Sequence, residues 1–408
     1  MKIDSSPGMA ENNLDGHILM LGPVATSDLI SVLDVSSGIL AHEYNTYHRA
    51  VPVSDLVIKL LENNFRVTLI TNSQQIRKNQ KVEFFGRNLR VICLPERVSV
   101  KKRASTFWVR EILGLIRESS SLNFDVVHAH WSYEYAVAAI FINRKRAIIS
   151  AHDSPWSILK YNFDAYHFAK LILSLFVGLF SSCTIFVSNY LAKSWSWLCR
   201  NESHVIGNFT LLESESSLDS ADCMRKTICS IGDMSKHKNL ICALKGWDIF
   251  SKENPGFIFK IAGVGLEQAL NAWPEYERYV RNDGIIWMGK INRLEISKML
   301  KTSDVLLHTS LEESYCMAVS EALLMQKPII ASGKCAPIVE LAKDAGILVP
   351  ENSPKDFANA LKKFYFNLDL QFELRRNAQT RSIEIQNQNG NNLKKIIHLY
   401  KLRFTNLS

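Results

Sequence analysis

Short apolar runs recur along most of the 408-residue chain, separated by stretches whose apolar positions have helical spacing. Apolar runs bounded by turn residues predict buried strands, and helical segments between them predict a parallel α/β architecture. In the first half, strands are expected at His17–Leu21, Arg66–Thr71, Arg90–Leu94, Asp125–Ala129, Ala147–Ala151 and Thr184–Val187, with a short one at His204–Ile206. Helical patterns cover Ser54–Asn63 and Phe107–Ser119. The alternation stops at Asn208–Asp222, a stretch rich in Ser, Glu and Asp that reads as a linker. It restarts with a strand at Thr227–Ile231, a helix at Asn239–Phe250, and strands at Phe257–Ala262, Ile285–Met288, Val305–His308 and Pro328–Ala331. The tail Pro354–Leu402 is helical in pattern, with a polar break at Gln386–Asn392. This gives a polar tail 1–16, a first doubly wound domain 17–207, a linker 208–226 and a second such domain 227–385. A last helix, 386–408, is expected to pack back on the first domain. Two such halves leave a cleft between them, and doubly wound folds bind ligands at the carboxyl ends of their strands.

Composition narrows the class. Apolar residues make up 47% and charged residues 22%, ordinary for a globular protein. The segment Met1–Gly16 has no apolar core, so no secretory leader is expected. The eight cysteines include no CxxC pair and no Cys/His cluster. That argues against structural zinc and a disulfide framework, and for a reducing cytoplasm. The net charge of +8 suits anionic headgroups or phosphorylated ligands, while no nucleic-acid motif accompanies it. One segment, Leu171–Ala192, carries no charge and is long enough to span a bilayer. Its polar middle, Ser181–Thr184, divides it into an expected buried helix and buried strand.

Candidate chemistry lies at or just after expected strand ends. Gly22 follows the first strand, where a glycine lets backbone approach a ligand. His130 and His152 end two neighbouring strands and would face the same cleft edge. Gly232 and the basic run containing Lys236 and Lys238 follow the first strand of the second domain. Lysines at a helix start can meet the charge of a diphosphate. Gly263-Val264-Gly265 lacks the third glycine of a dinucleotide fingerprint. No Asp-x-Asp spacing occurs, so the metal–diphosphate clamp has no candidate. Most informative is Ser310–Ala331, which follows the strand pattern Asp304–His308 and holds Glu313, a run of small residues, a helix carrying Glu321, and a second apolar strand. Between the two glutamates lie the first amides of that helix, which lack intrahelical partners and favour an anion. Two carboxylates around an anion-friendly helix start suit a nucleotide sugar.

These residues resemble the family-4 retaining glycosyltransferases of the GT-B fold, two Rossmann-like domains facing each other across a cleft. The Glu-x7-Glu signature, E-G-F-G-L-P-x-x-E-A in that family, stands here as Glu313-Ser314-Tyr315-Cys316-Met317-Ala318-Val319-Ser320-Glu321-Ala322, with both glycines and the proline replaced. Asp125–Trp131, Ser150–Asp153, Ile185–Ser188 and Val205–Asn208 resemble further family segments. The resemblance implies an N-terminal acceptor domain and a C-terminal donor domain. It implies that Glu321 holds the ribose diol, Glu313 contacts the transferred sugar, and His152 reaches it from the opposite domain. Lys238 would stabilise the departing diphosphate, and retention would follow a front-face course. Asp233 stands where the family has an arginine, so Lys236 is expected to supply the missing charge and Asp233 to point away. No cofactor or metal is expected; the partners implied are a nucleotide-sugar donor and a glycan or lipid-linked acceptor in surface-polysaccharide assembly. Arg97–Arg117, basic with Phe107, Trp108, Ile112 and Leu113 interleaved, suits either an anionic membrane or ordinary packing on the domain. A degenerate GT-B scaffold, or another GT-B enzyme such as a sugar epimerase, also stays open at this point.

Overall fold

The computed structural model describes residues 15–43, 50–212 and 226–405. Most of the expected linker and of the N-terminal tail lies outside the described residues. The first half alternates β1 (Gly16–Leu21), helices α1 (Val35–Glu43) and α2 (Val51–Glu62), then β2 (Phe65–Ser73), β3 (Val82–Gly86) and β4 (Leu89–Pro95). Helices α3 (Val100–Ser105) and α4 (Val109–Ser119) lead to β5 (Val126–His130), α5 (Glu134–Asn143) and β6 (Ala147–Ala151). Helices α6 (Pro155–Tyr161) and α7 (Ala165–Phe180), β7 (Cys183–Phe186), α8 (Asn189–Trp195) and β8 (Glu202–Val205) complete it. The sheet order is β3-β4-β2-β1-β5-β6-β7-β8, parallel except for β3, which pairs antiparallel with β4. The central strands β5, β6 and β7 are buried along their whole length, as continuous apolar runs between two helix layers require.

The second half begins with β9 (Thr227–Ile231), α9 (Leu240–Glu253), β10 (Ile258–Ala262), α10 (Leu266–Ala272), α11 (Glu277–Val280) and β11 (Ile285–Gly289). It continues through α12 (Arg293–Lys301), β12 (Val305–His308), α13 (Met317–Leu324), β13 (Ile329–Ser332), α14 (Ala336–Ala342) and β14 (Gly346–Val349), then α15 (Pro354–Phe366) and α16 (Leu368–Thr405). Its six strands run β11-β10-β9-β12-β13-β14, all parallel. The order reverses at β1/β5 in the first sheet and at β9/β12 in the second, the kind of switch point at which doubly wound sheets bind ligands.

Three expectations are corrected. The helix expected over Phe107–Ser119 starts at Val109, because Phe107 and Trp108 both take positive φ (47° and 54°) and break α3 from α4. The polar break at Gln386–Asn392 does not interrupt α16, a continuous 38-residue helix about 57 Å long. Its amides point outward to other elements: Asn389 Nδ2 donates to the Thr210 carbonyl (3.0 Å) and Asn392 Nδ2 to that of Gly207 (3.0 Å). Ala378 and Ile385 pack in the core under α13, while Ile396, Leu399 and Tyr400 fill the first domain's core. Finally, α7 is not wholly buried: Leu173 and Val177 face the core, whereas Phe168, Ile172, Leu179 and Phe180 lie at the surface. No helix among the described residues is long and apolar enough to cross a membrane.

Candidate active site

At the second switch point, two loops are tied together by hydrogen bonds. The basic run after β9 forms a single tight turn, Lys236–Lys238. The loop after β12 clasps it: Leu311 N and Ser310 Oγ donate to the His237 carbonyl (2.7 and 3.1 Å), and Thr309 Oγ1 donates to that of Asn239 (2.9 Å). The clasp brings Lys238 Nζ to 2.7 Å from Glu313 Oε1, and His308 Nε2 lies 3.0 Å from the same oxygen. Burial alone would raise the Glu313 carboxyl, but the Lys238 ammonium and the His308 contact outweigh it and hold it well below the usual carboxylate range. Burial likewise disfavours the charged ammonium of Lys238, and Glu313 reverses that, holding it above the usual lysine range. The result is a half-buried, charged pair beside the N-terminus of α13.

Cys316 occupies the second glycine position of the signature and keeps a glycine-like backbone, with φ 74° and ψ 76°. This conformation turns the chain into α13 and places Sγ 3.3 Å from His308 Nε2. Burial, and then the Glu313 carboxylate, push its thiol well above the ordinary range, so it stays neutral. Met317 and Ala318 open the helix, whose first amides lack intrahelical partners. Glu321 lies one turn in and is buried. Tyr315 packs against Gly207, where a Cβ would meet its ring at 2.9 Å, and Thr210 Oγ1 bonds Ser320 Oγ at 2.8 Å. The signature helix is thereby fastened to the crossing between the domains.

Gly232 has open space where a side chain would stand. It is crowded from behind by Gly263, whose φ of 105° and a Cβ position 2.2 Å from the Gly232 carbonyl admit only glycine. Asp233 turns back on its own loop: Oδ1 accepts from Ser235 N (2.8 Å) and from Ser235 Oγ. Lys236 is exposed beside it.

On the first domain, the strand-end histidines form a stack. His128 bonds Tyr400 Oη (2.7 Å) and Ser150 Oγ (2.8 Å) and stacks on His130 at 4.4 Å. His130 Nδ1 lies 2.9 Å from His152 Nε2. Burial pushes His152 down to about 3, and holds His130 well below its ordinary value, with neighbouring imidazoles adding to the effect. Both rings are neutral, so one donates to the other. His130 Nε2 is buried without a partner, next to Gly22, whose added Cβ would meet His130 Cβ at 3.1 Å. A bare acceptor costs less to bury than a bare N–H, which assigns the proton to His130 Nδ1 and leaves His152 Nδ1–H as a donor. Asp153 is turned into the core, where Tyr133 Oη donates to it at 2.7 Å.

The predicted residues thus fall into two groups: Gly22 and His152 on the first domain, and Gly232, Lys236, Lys238, Glu313, Cys316, Met317, Ala318 and Glu321 on the second. The described contacts include no bond from His152 to Glu313. The domains meet close by, however, with the Tyr161 ring of α6 at 6.3 Å from the His237 ring and Tyr190 Oη bonded to Glu312. His308 was missed by the sequence reading, although it ends a buried strand as His130 and His152 do. Asp55 and Arg293 were also missed. Arg293 on α12 pairs with the buried Asp55 on α2 (Nη1–Oδ1 2.6 Å), and Leu211 N donates to the same carboxylate (3.1 Å). Nothing in either residue's sequence neighbourhood signals that bridge.

With this geometry established, comparison with known proteins is direct. Residues 51–213 match the glycosyltransferase family 4 domain, and residues 220–381 match the group 1 glycosyl transferases. The chain belongs to this glycosyltransferase family. Its structure is that of the GT-B enzymes. Sucrose-phosphate synthase from Thermosynechococcus elongatus superposes with a TM-score of 0.73 at 14% identity, covering 95% of this chain and 99% of the other. Anabaena HepE, in complex with UDP and glucose, gives 0.64 at 14% identity over 93% and 99%. The trehalose 6-phosphate synthase from Burkholderia multivorans gives 0.65 at 11% over 96% and 99%. No curated protein sequence matches the chain.

Proposed function

We propose that this glycosyltransferase moves a sugar from a nucleotide-sugar donor to a glycan or lipid-linked acceptor, with retention of configuration and without a metal ion. The reading places it in surface-polysaccharide assembly, in the cytoplasm at the inner face of the membrane. The observation that carries it is the Lys238–Glu313–His308 cluster at the β9/β12 switch point. Negative charge develops on the diphosphate as the glycosidic bond breaks, and a pre-positioned cation at that point favours the transition state. Although His308, Glu313 and Cys316 are close enough to hold an ion, the Lys238 ammonium already stands against the carboxylate such an ion would use. In this reading Glu321 receives the ribose diol and Glu313 a hydroxyl of the transferred sugar. The amides of Cys316, Met317 and Ala318 meet the sugar or the distal phosphate, Gly22 and Gly232 admit the ligand close to backbone, and Lys236 adds charge. His152 Nδ1–H donates to a sugar hydroxyl from the first domain. Asp153, the acid next to His152, is held by Tyr133 and is not placed as a nucleophile, which favours the front-face course.

HepE binds UDP-glucose, so uridine nucleotides head the panel to be tested. The test incubates the purified protein with a panel of nucleotide sugars in a chelator and measures nucleoside diphosphate release. Release that survives chelation and disappears in Glu321→Ala is expected. A protein that neither binds nor hydrolyses any donor, or one that needs added divalent ion, would sink this reading.

A further inference from the structure

Helix α7, whose C-terminal part belongs to the uncharged segment Leu171–Ala192, has one face in the core, and its outer face is unusual. Phe168, Ile172 and Leu179 are exposed at helical spacing, with Phe180 at the end. Phe163, 88% exposed, stands just before the helix. Phe141 on the neighbouring α5 is 63% exposed and its ring stacks on Phe176 at 6.0 Å. Together with Phe107 between α3 and α4, this single face holds five of the eight exposed phenylalanines among the described residues. Scattered exposed apolar residues need no explanation, but a concentration of aromatic side chains on one face marks an interaction surface.

Charge identifies the occupant. Lys101 and Lys102 on α3, Arg110 and Arg117 on α4, and Arg144 and Lys145 after α5 are exposed around this face. Arg144 donates to the Phe180 carbonyl (2.7 Å), which fixes one cation at the end of the α7 stripe. The acids of the same helices are committed elsewhere. Glu111 pairs with Arg97, Glu118 with Lys81, and Glu134 is half-buried with its Oε2 enclosed; Asp164 caps α7 and bonds His167. Apolar side chains rimmed by cations fit an anionic bilayer, where aromatic groups enter the interface and lysine and arginine meet the headgroups. A second copy of this chain fits poorly, because a two-fold contact through the same face would bring this cationic rim against itself. The face also begins at the mouth of the cleft: Phe163 follows α6, whose Tyr161 packs near His237 of the basic turn.

We infer that the α3–α4–α5–α7 face docks on an anionic membrane surface and presents the cleft mouth to a lipid-linked acceptor. The inference rests on the proposed transfer to such an acceptor. Its test is co-sedimentation of the full chain with vesicles of phosphatidylcholine, with and without about one-third phosphatidylglycerol. Wild-type protein should sediment with the anionic vesicles only. Two variants, Phe168→Ser/Leu179→Ser and Arg110→Glu/Arg117→Glu, should each lose roughly tenfold or more of that binding while keeping donor hydrolysis in solution. Wild type that ignores anionic vesicles, or variants that bind like wild type, would overturn the inference. So would a dimer, measured by light scattering, that the Phe168→Ser/Leu179→Ser variant separates. Donor hydrolysis is read without vesicles, so loss of membrane binding with intact hydrolysis contradicts only the docking, and absent hydrolysis contradicts only the proposed reaction.

Discussion

Lys238 and Glu313 share a site where burial penalises each charge and the other charge repays it. Removing one partner strands the other, so Lys238→Met is expected to cost about 3 kcal/mol of stability, read by denaturant unfolding. Adding Glu313→Leu to Lys238→Met should restore part of that loss, and full additivity of the two substitutions would show that the pair is not coupled. The sign with pH follows from the directions. Glu313 contributes stability above the ordinary carboxylate range and loses it as pH falls below; Lys238 contributes below the ordinary lysine range and loses it as pH rises above. The pair is therefore intact across the neutral range. The histidines behave otherwise. Burial holds His128 and His152 down at about 3, so the unfolded chain takes up their protons near 6.5 and the folded chain does not. They withdraw stability as pH falls below 6.5. Asp55 and Glu134, which burial raises to about 7, work in the opposite sense over the same window. The His152 ring itself gives the clean readout: its NMR resonances should not titrate between pH 8 and 5, and a midpoint near 6.5 would refute the buried, neutral assignment.

Elements carry the next level. Helix α16 joins the domains, with one end under α13 and Tyr400 fully buried in the first domain against His128 and Phe65. Tyr400→Ala should therefore cost about 3–5 kcal/mol, although the residue lies at the chain's far end. A cost under about 1 kcal/mol, the level of a surface change, would mean that the helix end does not hold the core. The Asp55–Arg293 bridge joins α2 to α12 and also holds Leu211 at the crossing. Arg293→Met should loosen the contact between α2 and α12, seen as a larger radius of gyration in solution scattering; an unchanged radius would make the bridge incidental. Strands of continuous apolar residues, such as Ala147–Ala151 and Val305–His308, were legible because parallel sheets bury both faces. Edge strand β3, with Glu83 between Val82 and Phe84, gives no such run and was not seen. The α16 polar stretch looked like a break because its amides have partners only in the folded chain, on Gly207 and Thr210. The site glutamates were readable from their setting between two strands. Cys316 was readable only as a lost glycine; its retained positive φ is a property of the turn, which the neighbouring contacts impose.

For the whole molecule, two parallel sheets place their switch points in one cleft, with neutral imidazoles on one side and a charged Lys–Glu pair on the other. The central claim is that Lys238 is the seat of the donor diphosphate. The measurement that tests it most directly is calorimetric binding of a nucleoside diphosphate and its monophosphate, with chelator present, to wild type and Lys238→Met. The diphosphate should bind wild type about tenfold or more tightly than the monophosphate, as a charge-assisted contact supplies. That preference should vanish in Lys238→Met. An unchanged preference in the variant would contradict the account.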